Sequence, residues 1–195
     1  MPLLTLPEYE QRAAQAHGHL CAGQILGLRL AIHGVRLLGL EDPAGADRKR
    51  LITYVEIDRC ATDAIAVVTG CRLGKRALKL VDFGKLAATF CDLRDGRAVR
   101  VAARESSRVR ARELYPEIAD KNQQQMRAYR ELPDEELFES QWVRVSIPPQ
   151  DLPGYRAARV TCRECGEAIS FAREVVRDGT TLCRSCAGGR YYQPL

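Results

Sequence analysis

The chain has 195 residues, 46% apolar and 28% charged, the composition of a soluble globular protein that can bury its own core without cross-links. Its apolar runs are only a few residues long and its Met1–Pro7 start is proline-broken with no basic region, so neither a membrane span nor a secretory signal is expected. The net charge of +5 is dispersed, and eight cysteines without a signal peptide point to a reducing, cytoplasmic setting in which clustered thiols bind metal or perform chemistry.

In chain order, residues 3–16 read as a short lead-in and a polar helix. From Leu20 the apolar residues Ile25, Leu28, Ala31, Ile32, Val35 and Leu38 recur at helical spacing, with Gly39 as a stop. Leu51–Ile57 is β-branched and aromatic and reads as a strand; Cys60–Thr69 returns to helical spacing and stops at Gly70. Three short strands follow at Ala77–Val81, Leu86–Cys91 and Ala98–Ala102, separated by the turns Asp82–Gly84 and Asp95–Gly96 and expected to be hairpin-linked. Glu105–Glu139 reads as two or three charged helices and Trp142–Ile147 as a returning strand. The strand–helix–strand step favours a right-handed crossover to a parallel neighbour. Together these elements predict an α+β domain, a mixed sheet with helices packed on it, built on a helix–strand–helix–three-strand core. Ile147–Gly154 carries three prolines and reads as a linker, which gives a main domain over residues 1–150 and a small module over residues 158–195.

That module holds Cys162-x2-Cys165 and Cys183-x2-Cys186 separated by 17 residues, a spacing suited to a four-thiolate zinc site. Two intervening residues let one turn present both sulfurs to an ion at roughly 2.3 Å. Gly166 permits the positive φ that aims backbone amides at the sulfurs. Ala168–Ala172 and Glu174–Val176 read as a hairpin turning near Arg177–Gly179. The alternatives are two disulfides, which need an oxidising compartment, or redox-active pairs, which do not need a second copy. With four protein thiolates no coordination position stays open, so the zinc would be structural. The arginines of the module are interspersed with Glu164, Glu167, Glu174 and Asp178, so no basic stripe forms and nucleic-acid binding is disfavoured.

His17-Gly-His19-Leu-Cys21 is the second candidate site. In an extended segment residues two apart face the same way, so His17, His19 and Cys21 could converge on a transition metal suited to nitrogen and sulfur. Cys60 opens a predicted helix, where the dipole should lower its pKa, and Asp63 lies one turn later, placed to accept from a ring N–H. The alternative is a helix start with an ordinary buried cysteine. Cys71 and Cys91 read as structural and core thiols, and His33 as an ordinary helix residue.

Taken in order, Gly18-His19-Leu20-Cys21-Ala22-Gly23-x3-Gly27-x-Arg29, Cys60-x2-Asp63-Ala64-Ile65, Thr69-Gly70-Cys71-x2-Gly74-Lys75 and Asp82-x-Gly84-Lys85-x-Ala87-x2-Phe90 resemble the formylmethanofuran dehydrogenase E-subunit family over residues 10–147. The appended four-cysteine module is also found in that family. Ala22 stands where the family usually carries proline. The resemblance implies an α+β core that pairs as a homodimer, with a pocket that holds the His17–Cys21 segment and the Cys60 helix. It further implies an accessory or maturation role for a molybdenum- or tungsten-dependent formate-type dehydrogenase. In that reading Cys162, Cys165, Cys183 and Cys186 hold structural zinc, and His17, His19, Cys21, Cys60 and Asp63 form a second site for a transition metal or reactive ligand. Two other readings stay open: an enzyme with Cys21 or Cys60 as nucleophile and a histidine base, and a metal- or redox-responsive regulator that binds through the zinc module.

Overall fold

The computed structural model describes residues 3–193, and the chain divides into two compact units between Ser146 and Ile147. In the larger unit, α1 (Leu6–His17) starts where the Glu8 carboxylate accepts the Thr5 N–H at 2.8 Å, and stops at Gly18, whose φ of +92° turns the chain off the helix axis. α2 (Ala22–Leu37) is buried on most of its circumference, with Ile25, Leu28, Leu30, Ala31 and Val35 fully enclosed, as expected of a central helix that is apolar nearly all round. β1 (Leu51–Val55) leads into α3 (Cys60–Thr69), closed by Gly70 at φ +66°. β2 (Leu78–Leu80) returns parallel to β1, with Thr53 opposite Leu78 and Val55 opposite Leu80. The antiparallel pair β3 (Ala87–Asp92) and β4 (Ala98–Ala103) follows, with Phe90 opposite Val99.

Three helices come next, α4 (Ser106–Leu114), α5 (Lys121–Glu131) and the short α6 (Asp134–Leu137). β5 (Phe138–Val143) then completes a five-stranded mixed sheet of order β2-β1-β3-β4-β5. The sheet residues Val55, Ala88, Phe90, Val99 and Val101 join the apolar residues of α2 in one core. The predicted α+β class is the observed one. Among the described residues no helix is long and apolar enough to cross a membrane.

Two expectations about the sheet are corrected. The second and third strands are not a hairpin, because they flank β1 on opposite edges. The Asp82–Gly84 turn crosses the end of β1, where the Glu56 carbonyl accepts the N–H groups of Phe83 at 3.0 Å and Lys85 at 3.1 Å. The last strand begins at Phe138, four residues before the expected Trp142, because Phe138 is buried and pairs with Ala103 while the polar Glu139–Gln141 stretch lies on an open edge.

Two glycines fix the depth at which α2 packs. A methyl group on Gly27 would lie 2.6 Å from the Ala61 carbonyl oxygen and 2.7 Å from its Cα, so α2 and α3 cross at backbone contact. On the sheet side, a methyl on Gly34 would fall 2.3 Å from the Phe90 ring. The polar groups of α2 anchor α5 and α6. Arg29 donates to the carbonyls of Tyr129 (2.8 Å), Arg130 (3.2 Å) and Leu132 (2.9 Å) and to the Asp134 carboxylate (2.6 Å). His33 lies 2.9 Å from Asp134 through Nδ1 and 2.9 Å from Ser140 Oγ through Nε2, so this residue, expected to be ordinary, ties α2 to the start of α6 and to β5.

Gly27→Ala should destabilise the protein by about 1–3 kcal/mol through overpacking against backbone that cannot swing aside, read as a lower urea midpoint with an unchanged slope. Acid should act through Asp134. Burial works to raise its pKa, but the hydrogen bonds from His33 and Arg29 outweigh burial and hold it near 2, below its free value of 3.8. A carboxyl depressed on folding stabilises fully above its free value and loses that contribution as pH falls through the folded value. We therefore expect a loss of about 2 kcal/mol between pH 4 and pH 2 that Asp134→Asn removes, measured as urea midpoints across that window.

Candidate functional site

The close crossing at Gly27 and Ala61 brings the first turns of α2 and α3 together, and with them two thiols. Cys21 immediately precedes α2 in extended backbone (φ −139°, ψ 167°), and Cys60 is the first residue of α3. Both are half-buried and free, and the Cys21 thiol is near enough to Cys60 to raise its pKa. Gly23 sits beside them, with space for a Cβ 3.6 Å from Cys60 Cβ and 3.8 Å from Cys21 Sγ. His17, the last residue of α1, points Nδ1 at the Asp63 carboxylate at 2.7 Å, which leaves Nε2 as the lone-pair nitrogen when Nδ1 carries the proton. His19 packs its ring against His17, centroids 4.9 Å apart.

Beside this group a cleft of about 400 Å³ opens, lined by the polar residues His17, Asp58, Arg59, Cys60 and Asp63 and by the apolar residues Leu73, Leu78 and Leu80. It lies where β1 and β2 end and α3 begins, the position outside the carboxyl ends of parallel strands where α/β sheets bind ligands.

The pKa of Cys60 moves opposite to the sequence expectation. Burial raises it, and the hydrogen bond and charge of Cys21 raise it further, outweighing the backbone and Arg59 contributions at the helix start. Two features of the site lay outside the sequence reading. The Asn122 side-chain oxygen accepts the Ala22 N–H at 2.9 Å across 100 residues, capping the helix that carries Cys21. No local pattern announces such a partner. The leucine wall had a signal in the chain order β1, α3, β2, since a strand that returns parallel after a helix marks the end of the sheet where clefts form.

Among the described residues, one group of three or more His, Cys, Asp or Glu side chains gathers all its ligand atoms within 4.8 Å of one another: Cys162, Cys165, Cys183 and Cys186. His17, His19, Cys21, Cys60 and Asp63 associate in pairs instead. The smaller unit is two hairpins, β6 (Val160–Thr161) with β7 (Ala168–Ile169) and β8 (Val175–Arg177) with β9 (Thr180–Leu182), then an irregular helical turn over Ser185–Gly189. This corrects the single expected hairpin. Phe171 and Ala172 have φ of +60° and +52°, which ends the first pairing, while Asp178 (+48°) and Gly179 (+73°) form the tight turn between β8 and β9.

The four thiols fit zinc. Tetrahedral bonds of roughly 2.3 Å set sulfur–sulfur edges at about 3.8 Å, and Cys165 and Cys183 lie 3.9 Å apart. Gly166 takes φ +74°, and the N–H groups of Cys183 and Cys186 point at Cys162 Sγ and Cys183 Sγ, each at 3.3 Å. Backbone N–H groups, those of Cys165 and Cys183 foremost, hold the Cys162 thiol down to about 6, favouring the thiolate that a metal takes.

The chain is similar to several known proteins. The family model described as "FmdE, Molybdenum formylmethanofuran dehydrogenase operon" matches residues 16–139, and that of the prokaryotic dksA/traR C4-type zinc finger matches residues 156–192. A curated relative from Archaeoglobus fulgidus, named a probable S-adenosyl-L-methionine-binding protein, is 32% identical over 92% of this chain and 52% of its own length, so the chain spans about half of that relative. A crystal structure of an FmdE-like protein from Syntrophus aciditrophicus, described as resembling the E-subunit of a tungsten formylmethanofuran dehydrogenase, shares the fold with a TM-score of 0.66 at 21% identity, covering 97% of this chain and 96% of that one.

A module this small draws its folding energy from its metal. A strong chelator should therefore expose the chain beyond residue 158 to limited proteolysis while the larger unit stays protected. A protected tail in zinc-free protein would count against zinc as its support.

Proposed function

Because the chain belongs to the FmdE family of the molybdenum formylmethanofuran dehydrogenase operon and carries a C4 zinc-finger module, we propose that it is an accessory or maturation factor for a molybdenum- or tungsten-dependent formate-type dehydrogenase. In this reading it works in the cytoplasm as a homodimer and meets its dehydrogenase partner with a metal or reactive ligand held at a second site. Cys162, Cys165, Cys183 and Cys186 hold zinc that folds the module. Cys21, Cys60, His17 and His19 supply the sulfur and nitrogen donors of the second site, and Asp63 orients the His17 ring.

The observation that supports this most is the meeting of Cys21 and Cys60 next to an imidazole already oriented by a carboxylate, at the edge of a cleft. A carboxylate placed in this way sets the tautomer of a ligating histidine. Borderline-soft donors of this type suit zinc, nickel, iron or copper.

A second reading is favoured by the Archaeoglobus relative named as a probable S-adenosyl-L-methionine-binding protein. The cleft combines an apolar wall, against which a purine can lie, with the carboxylates of Asp58 and Asp63, which can face a sulfonium.

One set of dialysis measurements on wild type and a Cys21→Ser, Cys60→Ser double variant separates the two. Metal analysis after dialysis against transition metals should give two equivalents per wild-type chain and one per double-variant chain. Equal values in both would remove the second metal site. Saturable retention of S-adenosylmethionine, weakened by Asp58→Asn, would support the second reading instead.

A further inference from the structure

Of the cysteines in the larger unit, Cys71 and Cys91 are sealed in its interior, whereas Cys21 and Cys60 are half-exposed and free, and a Cβ built on Gly23 would touch both, 3.8 Å from Cys21 Sγ and 3.6 Å from Cys60 Cβ. They come from two helices that cross at backbone contact, and the residue beside them is a glycine with no side chain to wedge them apart. Cys60 also lines the leucine-walled cleft, which leaves room for an organic group next to its sulfur. Paired thiols in reach of one another, with a pocket for the substituent of an incoming sulfur compound, are the requirements for thiol–disulfide exchange.

We propose that Cys21 and Cys60 form a redox-reactive dithiol that reduces small organic disulfides admitted through the cleft and closes to an intramolecular disulfide. The location rests on the second site proposed above; the chemistry does not require a metal there. In the first step the Cys60 thiolate attacks one sulfur of R–S–S–R′. The S–S bond breaks, a Cys60–S–R bond forms, and R′S⁻ leaves and is protonated. The Cys21 thiolate then attacks Cys60 Sγ, displacing RS⁻, which is protonated in turn. The two protein thiols together give up two protons and two electrons, and the substrate disulfide gains both as two thiols. The closed form pins the start of α2 to the start of α3 and removes both sulfurs as metal donors.

The test uses the reduced full-length chain with its zinc in place. It is incubated with oxidised glutathione, quenched with an alkylating agent under denaturing conditions and mapped by peptide mass spectrometry. The expected result is a Cys21–Cys60 cross-linked peptide, two fewer alkylatable thiols than in reduced protein, and full recovery on adding dithiothreitol. In Cys21→Ser, glutathione should instead remain attached to Cys60, because the resolving thiol is missing. In Cys60→Ser no cross-link should form. Circular dichroism confirms that each variant is folded, and if either is not, the wild-type cross-link decides alone. Wild-type protein that keeps both thiols alkylatable, or that cross-links through other cysteines, overturns the proposal. Metal content of the reduced protein reports separately on the second site, so failure of one reading is distinguishable from failure of the other.

Discussion

The backbone contact between α2 and α3 is the constraint on which the candidate site depends. With Gly27 against the Ala61 carbonyl, the two helices meet with no side chain between them, and their first turns arrive side by side. That single approach joins Cys21, which follows the His17–His19 segment, to Cys60, which lies one helical turn before Asp63 and borders the cleft. Gly34 against the Phe90 ring holds the other half of α2 down on the sheet, so the helix cannot tilt away to relieve the crossing. Interiors packed to crystal-like density transmit such positional demands over several turns.

The polar groups around the thiols are arranged in pairs. Asp63 is engaged with His17, Cys21 and Cys60 both flank Gly23, and the His19 ring packs on the His17 ring. The four cysteines of the smaller unit behave differently, because the β6–β7 turn and the helical turn after β9 bring their sulfurs within 4.8 Å of one another and backbone N–H groups already face them. One protein thus contains a preassembled four-thiol set and a looser cluster open to a cleft. The first suits a structural ion, while the second leaves room for a reactant.

What could be read in the sequence was whatever depends on near neighbours along the chain. The span of α3 and its glycine stop, the turn glycines and the pairing of cysteines two residues apart all follow from local spacing, and each appears in the structure. Features set by distant residues could not be read that way. The Asp82–Gly84 turn looks like a hairpin turn until β1 is placed between the strands it joins. Cys60 at a helix start looks acidic until its burial, and then the neighbouring Cys21 thiol, are taken into account. His33 looks unremarkable until Asp134 and Ser140 arrive from more than a hundred positions away. Leu73, Leu78 and Leu80 read as ordinary apolar residues and become a cleft wall only through the parallel pairing of β2 with β1.

The Asn122 cap gives the site a place in time as well as in space. The Ala22 amide it satisfies lies 100 residues upstream, so during synthesis the helix that carries Cys21 leaves the ribosome long before its partner does. Arg29 and His33, on the same helix, also wait for residues 129–140. Contacts of such long range form late in folding, once loop-closure entropy has been met. The cap that fixes the start of the helix after Cys21 therefore arrives only after most of the larger unit has been synthesised, whereas the crossing of α2 with α3 needs only the first seventy or so residues.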